Sequence, residues 1–356
     1  MADHQPKKAK IRLKQPKRTD KGLNALVRKL ERNPQQSLFS NKTNWTLHKI
    51  YEEDHTLLEK NFRAYISGTG GMLSVAKEHL LDRATTPEEK ARVEKFVTVH
   101  GQEMSPTNYA ICQADLLIKN DREAKVFLGN SLIPHDRQSK EPGDQLPEGK
   151  YRFDFMLSNP PFGVTWGGKD GYENEAKKLK KTRYQAGMPR SNDGALLFLQ
   201  TMLAKMQPPE KGGSRIAIIF NGSPLSNGDC GSGESEIRRC ILENDWLDAI
   251  VMLPDQLFYN TGIFTYIWLL RNEKPESHRG RVMLIDARKQ FEKEPKSFGN
   301  QRNRITDAHR AWIEDRYRNG WVEGYQDEDV KLFRTTDFAY HKVSVVFWQT
   351  DEHDRP

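Results

Sequence analysis

Cysteine is scarce in this chain of 356 residues: Cys112, Cys230 and Cys240 are the only three, and no two stand as C-x-x-C. That excludes a disulfide framework and a cysteine-ligated zinc site, and it points to a reducing cytoplasm. Long apolar runs are missing too. Stretches such as 263–270 fall far short of the ~20 residues a membrane helix needs, and the basic start leads into no apolar signal segment. A cytoplasmic protein, neither secreted nor membrane-spanning, is the expectation. Apolar residues are few at 36 % and charged ones many at 29 %, a polar balance for a globular enzyme but not that of a disordered chain. The net charge of +7 is local: residues 1–33 hold 11 Lys and Arg against 3 Asp and Glu, a net +8, so the rest of the chain is close to neutral. This opening, with Lys7, Lys8, Lys10, Arg12, Lys14, Lys17, Arg18 and Lys21, reads either as a disordered arm that touches phosphates or as a solvated extension.

What is present is an apolar run, Tyr151 to Leu157, that stops at Ser158-Asn159-Pro160-Pro161-Phe162-Gly163. A β-prone run ended by a polar residue and two prolines predicts a buried parallel strand with a rigid loop at its C-terminal end. Open α/β sheets bind ligands at that end. Pro160 and Pro161 fix φ and remove two backbone donors, so Asn159 and Pro160 can present oxygen acceptors without a competing N–H. Such acceptors suit an exocyclic amine. Taking both N–H bonds of an adenine-like amine leaves its nitrogen lone pair free to attack, and Phe162 offers an apolar face to a base drawn out of its stack. Read alone, the same four residues are equally a strand-ending turn.

Around this run the pattern alternates. Gly68-Thr69-Gly70-Gly71 precedes helical spacing of Met72, Leu73, Val75, Ala76, Leu80 and Leu81, a tight strand-to-helix turn in which the backbone approaches a ligand closely. No Gly-Lys-Ser/Thr follows, which argues against a phosphate-binding loop. A strand from Phe96 ends at His100-Gly101-Gln102-Glu103, where the Glu103 carboxylate is placed to accept from two ribose hydroxyls or, more blandly, to cap the next helix. That helix, 106–118, carries Cys112 in its core stripe. Strand 125–128 ends at Gly129-Asn130-Ser131, where the Asn130 carbonyl oxygen can accept from an adenine amine. Residues 134–150 read as an exposed loop. Residues 163–193 form a basic loop, with Lys169, Lys177, Lys178, Lys180, Lys181, Arg183 and Arg190 suited to DNA phosphates or to a mobile surface. A helix over 196–206, strands over 215–220, 245–253, 264–270 and 281–285, and a helix over 237–242 complete a parallel sheet covered on both faces. The short link between the strands at 264–270 and 281–285 predicts that these two pair antiparallel at the edge. Thr306 or Asp307 caps a helix reaching Tyr317, and 330–348 looks strand-like.

Four motifs, Gly68 to Leu73, Gly101-Gln102-Glu103, Phe153 to Gly163 and Leu257-Phe258-Tyr259-Asn260-Thr261-Gly262-Ile263, occur in one order. From about Ser67 to about Phe347 the chain thereby resembles the modification (M) subunit of type I restriction systems, a family of DNA adenine N6-methyltransferases. The resemblance implies a Rossmann-like S-adenosylmethionine-dependent methyltransferase fold, α/β with a mostly parallel sheet, helices on both faces and an antiparallel edge strand. It implies a catalytic domain over 61–350 behind a basic extension over 1–60. It makes Asn159, Pro160, Pro161 and Phe162 the catalytic motif, and Gly68, Thr69, Gly70, Gly71, Glu103 and Asn130 the site of S-adenosyl-L-methionine. DNA, a specificity subunit and a restriction subunit are the implied partners, with no metal and no membrane. Family members also carry Arg-Tyr/Phe-Gly-x-Pro, which Arg183 to Pro189 resembles with a two-residue insertion. Departures lie upstream: Ala64-Tyr65-Ile66-Ser67 stand where the family has Asp-Pro-x-Cys, and Asn130 stands where it has Asp. The first 66 residues read as a different sequence joined to the catalytic core, as in a truncated or rearranged gene. The alternative is therefore a catalytically impaired remnant or a DNA-binding scaffold that keeps the fold.

Overall fold

The computed structural model describes residues 62–67, 71–119, 121, 123–135, 142–169, 171–259, 261–343 and 345. The basic opening over 1–60, Gly68, Thr69, Gly70, Asn260 and residues 346–356 lie outside the described residues.

Eleven strands are described: β1 Phe62–Ser67, β2 Val97–Glu103, β3 Lys125–Leu128, β4 Phe155–Ser158, β5 Arg215–Phe220, β6 Leu247–Leu253, β7 Thr265–Arg271, β8 Arg281–Asp286, β9 Glu292–Phe298, β10 Gln301–Arg304 and β11 Val330–Arg334. Nine of them form one sheet in the order β11-β8-β6-β7-β5-β4-β1-β2-β3, and β9 and β10 form a separate hairpin. β3, β2, β1, β4 and β5 run parallel to their neighbours in that series, as do β6 and β8. β7 runs against both β5 and β6, and β11 runs against β8 at the edge.

The edge thus carries an antiparallel strand as expected, but the expected pairing of 264–270 with 281–285 does not occur. β7 has both edges occupied, by β5 and β6, so the chain leaving it reaches the far side of β6 and β8 pairs there in parallel. A short link forbids a helical crossover but not a step over one strand.

Side-chain alternation along β4 explains why both faces are covered. Phe155 and Leu157 enter one apolar cluster, with Val97 and Val99 of β2 and with Ala76, Leu80, Val93, Cys112, Leu116, Ile313 and Tyr317. These last come from helices α1 Gly71–Arg83, α2 Pro87–Phe96 and α3 Pro106–Ile118, and from the late helix Asp307–Asn319. Met156 enters the opposite cluster, with Ile216 and Ile218 of β5 and with Leu196, Leu199, Met202, Ile237 and Ile241. Those belong to the helices Ala195–Ala204 and Gly233–Glu243. Each such side chain contributes about 1.5–3 kcal/mol when fully buried, so a strand apolar on both faces needs helices on both. Cys112 is packing, as its stripe position suggests: burial, reinforced by the charges of Asp115 and Glu103, pushes its thiol up to about 12. A thiol held so far above neutral pH is inert.

Two further expectations change. Residues 142–148 are not an exposed loop, since Gly143, Asp144 and Leu146 are buried. Of 330–348, only 330–334 is strand among the described residues. The late helix begins as expected, with Thr306 at its N-cap and the Thr306 N–H donating to His309 Nδ1 at 3.2 Å.

Candidate active site

The C-terminal ends of β4, β1, β2 and β3 lie side by side, with Ser158 opposite Ser67, Ser67 opposite Gln102 and Gln102 opposite Phe127. Chain connectivity then decides which residues emerge at each end. Asn159 leaves β4, residues 68–70, outside the described residues, lie in sequence between Ser67 and the start of α1 at Gly71, Glu103 closes β2, and Asn130 lies just beyond β3. Parallel pairing therefore brings together residues that are far apart in sequence.

Asn159 is half-buried, and its Oδ1 is shielded from solvent with no hydrogen-bond partner among the described residues. A buried acceptor left unmade costs about 1–3 kcal/mol, so this oxygen calls for a donor that the described residues do not supply. Pro160 is buried and Pro161 exposed, so the bend has one packed side and one open side. Phe162 is half-buried and meets Phe258 edge to face, ring centroids 6.0 Å apart and planes at 87°. The chain then turns through Gly163 at φ 62°, in the left-handed region that favours glycine.

Phe258 is legible in the sequence only through resemblance, which gives it no chemical role. Its loop is braced by the hairpin of β9 and β10. Gln256, at φ 51°, accepts the N–H groups of Arg302 and Asn303 through its carbonyl at 3.0 and 3.1 Å, and Asn303 Nδ2 donates to Asp255 O at 3.0 Å. Asn300 N–H donates to Tyr259 O at 2.8 Å. The hairpin has a signal in the sequence, since Gly299-Asn300 between two short runs is a two-residue hairpin turn.

Glu103 Oε1 accepts the Ser105 N–H at 2.7 Å, which holds the carboxylate at the mouth of β2. Asn130 departs from expectation. Its Oδ1 accepts the Leu132 N–H at 3.0 Å in a local side-chain turn, while Nδ2 is buried with no partner among the described residues. The group it offers is a donor, suited to a ring nitrogen, rather than an acceptor for an amine.

Nor is the loop after Phe162 uniformly basic toward solvent. Arg183 is buried and donates to Asp144 Oδ2 at 2.6 Å, to Glu148 through Nε at 3.3 Å and a second, shorter contact, and to the Ser131 carbonyl at 2.6 Å. It is no phosphate ligand. Burial acts to lower its pKa, but the Glu148 hydrogen bond and the Asp144 charge prevail and hold it above the ordinary value. Burial acts to raise the pKa of Glu148, but the Arg183 hydrogen bond and charge outweigh it and hold the carboxyl below its ordinary value. Lys177 pairs with Glu173 at 2.6 Å, Lys178 with Glu175 at 2.6 Å and Arg190 with Asp193 at 3.7 Å. Lys169, Lys180 and Lys181 are exposed without an ion-pair partner among the described residues. Those residues contain no cluster able to hold a metal ion, and no helix among them is long and apolar enough to cross a membrane.

This sheet, with β7 reversed between β5 and β6 and the candidate residues at the ends of its parallel strands, is a Rossmann-like methyltransferase fold. It is shared with the type I restriction-modification system methyltransferase subunit of Streptococcus thermophilus (TM-score 0.62, 21 % identity, covering 86 % of this chain and 56 % of that one). It is shared also with a class I S-adenosylmethionine-dependent methyltransferase from Listeria monocytogenes (TM-score 0.53, 14 % identity, covering 85 % and 78 %). Residues 46–342 match the family model of the N-6 DNA methylases, and the chain belongs to that family. The match begins at residue 46, so residues 46–66, which read from the sequence as foreign to the core, align with the family after all. Among curated proteins, the type I restriction enzyme MjaIX methylase subunit of Methanocaldococcus jannaschii is 25 % identical over 279 residues, covering 78 % of this chain and 44 % of that protein. The chain spans less than half the length of the curated relatives it matches.

Proposed function

We propose that this chain carries the catalytic part of a DNA adenine N6-methyltransferase, the modification subunit of a type I restriction-modification system. The observation that carries the reading is the buried Oδ1 of Asn159, which has no partner among the described residues, at the end of β4 where Ser158 pairs with Ser67 of β1. Asn159 Oδ1 and the Pro160 carbonyl accept the two N–H bonds of the target amine, and Phe162 stacks on the flipped base. Asn159 is therefore an orienting ligand, and no general base with a shifted pKa is needed. The cofactor fits the neighbouring ends: Gly68 to Gly71 hold its methionine part, Glu103 accepts from its ribose hydroxyls, and the free Asn130 amide donates to its adenine.

S-adenosylmethionine, when bound, supplies an electrophilic methyl group on a sulfonium sulfur. Asn159 Oδ1 and the Pro160 carbonyl would hold the amine with its lone pair directed at that methyl group. The chain contributes alignment, which is worth about 7–11 kcal/mol when both partners are held in line. DNA is the substrate, and a specificity subunit, with a restriction subunit beside it, supplies the sequence reading that no motif of this chain provides.

Asn159→Ala should abolish methyl transfer to DNA and leave S-adenosylmethionine affinity, by calorimetry, nearly unchanged. Undiminished transfer by that variant sinks the role. A second reading, a remnant that keeps the fold, is favoured by one observation: Ala64 to Ser67 occupy the strand end where the family carries an acid. A folded wild-type chain that binds no S-adenosylmethionine would establish the remnant instead.

A further inference from the structure

Behind the Asn130 turn lies a cluster of four charged side chains for which the chemistry above has no use. Asp144 and Lys205 are fully buried, Arg183 is nearly so, and Glu148 closes the group. Lys205 Nζ lies 2.8 Å from Asp144 Oδ2, and Arg183 lies 2.6 Å from the same oxygen. Two cations face two carboxylates, so the cluster is neutral. Removing four charges from water costs several kcal/mol per ion, and apolar residues of equal volume would often stabilise as well or better. Such a cluster is accounted for by the direction it imposes, because a guanidinium is a planar fork that donates along fixed lines.

The direction here is specific. One edge of Arg183 grips Glu148 and Asp144, and its Nη1 donates to the Ser131 carbonyl at 2.6 Å. The next side chain, Tyr184, donates from its hydroxyl to the Leu132 carbonyl at 2.8 Å. From the sheet side, Gln102 Nε2 donates to Ser131 Oγ at 3.1 Å, and Gln102 Oε1 accepts the Gln145 N–H at 2.9 Å. Asn130 N–H donates to Pro142 O at 2.8 Å. The turn is thus held by its backbone from several sides, and the Asn130 amide is what remains to meet a ligand.

We propose that Arg183 is a positioning residue for the adenine end of the cofactor, using the buried carboxylates of Asp144 and Glu148 as a fixed base from which it sets the Ser131 carbonyl and so the Asn130 amide. The inference rests on the cofactor reading given above. Arg183 touches neither the reacting methyl nor the target amine; it acts through the turn.

The test uses the full-length chain. Arg183→Lys keeps the charge but cannot reach Ser131 and Glu148 together. Calorimetric affinity for S-adenosylhomocysteine should fall at least tenfold, and affinity for adenosine should fall by a similar factor, because the loss is at the adenine end. The Michaelis constant for S-adenosylmethionine should rise in step, while kcat at saturation stays within about threefold. A folded Arg183→Lys chain with wild-type affinity for both ligands overturns the assignment, and so does a loss seen in kcat alone. Should that variant fail to fold, Glu148→Gln, which preserves shape and weakens the base, should lower both affinities about threefold, and unchanged affinities overturn it equally. If the wild-type chain binds S-adenosylhomocysteine but the variants bind it as well, only the strut is wrong. If the wild type binds neither ligand, the cofactor reading itself falls.

Discussion

Phe162 and Phe258, ninety-six positions apart in sequence, meet edge to face with their centroids 6.0 Å apart. The contact joins the Asn-Pro-Pro-Phe bend after β4 to the loop after β6, across the positions of β5 and β7. An edge-to-face pair contributes about 0.5–1.5 kcal/mol beyond its buried area, enough to bias one orientation of a half-buried ring. Phe258 therefore fixes the plane of the half-buried Phe162 ring.

Because the two rings act on one another, their replacement should not be additive. In methyl transfer to DNA, Phe162→Leu and Phe258→Leu are each expected to lower kcat/KM, and the double variant should lose less than the two losses together, by about 0.5–1.5 kcal/mol of coupling. Strict additivity in that cycle would mean that the rings work independently and that Phe258 only fills space.

The brace behind Phe258 makes a separate prediction. Asn303 is fully buried and its Nδ2 donates to both Asp255 O and Asp255 Oδ1, at 3.0 and 3.1 Å. Asn303→Ala should lower stability by about 1–3 kcal/mol in a denaturant titration, since Asp255 loses its donor and Lys293, whose Nζ donates to Asn303 Oδ1 at 2.9 Å, loses its acceptor. It should also lower kcat, because the loop carrying Phe258 is released. A variant that is less stable yet transfers methyl at the wild-type rate would confine Asn303 to folding.

How far the sequence discloses the structure depends on the range of the forces concerned. Strands at 125–128 and 215–220 and the helix at 106–118 have the bounds expected, because apolar period, caps and prolines are local signals. The candidate motif lies at a strand end for the same reason, since two prolines after an apolar run permit little else. Long-range pairing is not legible: nothing in 264–270 tells that both its edges are filled, so the short link to 281–285 points β8 to the wrong neighbour. Charge without context misleads as well. Arg183 looks like its lysine neighbours in a basic loop, and only the fold brings Asp144 and Glu148 to it. Asn130 stands at the strand end the sequence predicts but leaves its amide nitrogen, not its oxygen, without a partner among the described residues, because its local turn to Leu132 consumes the oxygen.

Lys169, Lys180 and Lys181 are exposed, whereas Lys177 and Lys178 face Glu173 and Glu175. Replacing the first three by Gln should weaken binding of duplex DNA and flatten the dependence of log affinity on log salt by about 0.9 for each phosphate left unneutralised. Replacing Lys177 and Lys178 should change that slope much less. Equal slopes for the triple variant and the wild type would exclude the loop from binding DNA.

Lys205 gives the cluster a dependence on pH whose sign is fixed. Burial, aided by the charge of Arg183, outweighs the Asp144 carboxylate and pushes the Lys205 ammonium from its ordinary 10.5 down to about 8. Between those values the unfolded chain holds the proton and the folded chain does not, so from about pH 8 to 10.5 this side chain makes unfolding less favourable as pH rises. Stated for the fold, the unfolded state binds more protons in that window, and stability rises with pH across it. Below about pH 8 both states are protonated, and the cost of burying the charge is carried in full. Lys205→Met has nothing to titrate. The stability of the wild type relative to that variant should therefore increase from about pH 7.5 to about pH 10, by on the order of 1–3 kcal/mol. The paired comparison cancels tyrosines and cysteines that titrate in the same range, Tyr184 among them, which burial pushes up to about 12. Unfolding free energies from denaturant titrations at several pH values supply the measurement. A difference that stays flat across the window would mean that Asp144 keeps Lys205 charged throughout, and the cluster would then be a true double ion pair rather than one guanidinium strut with a neutralisable neighbour.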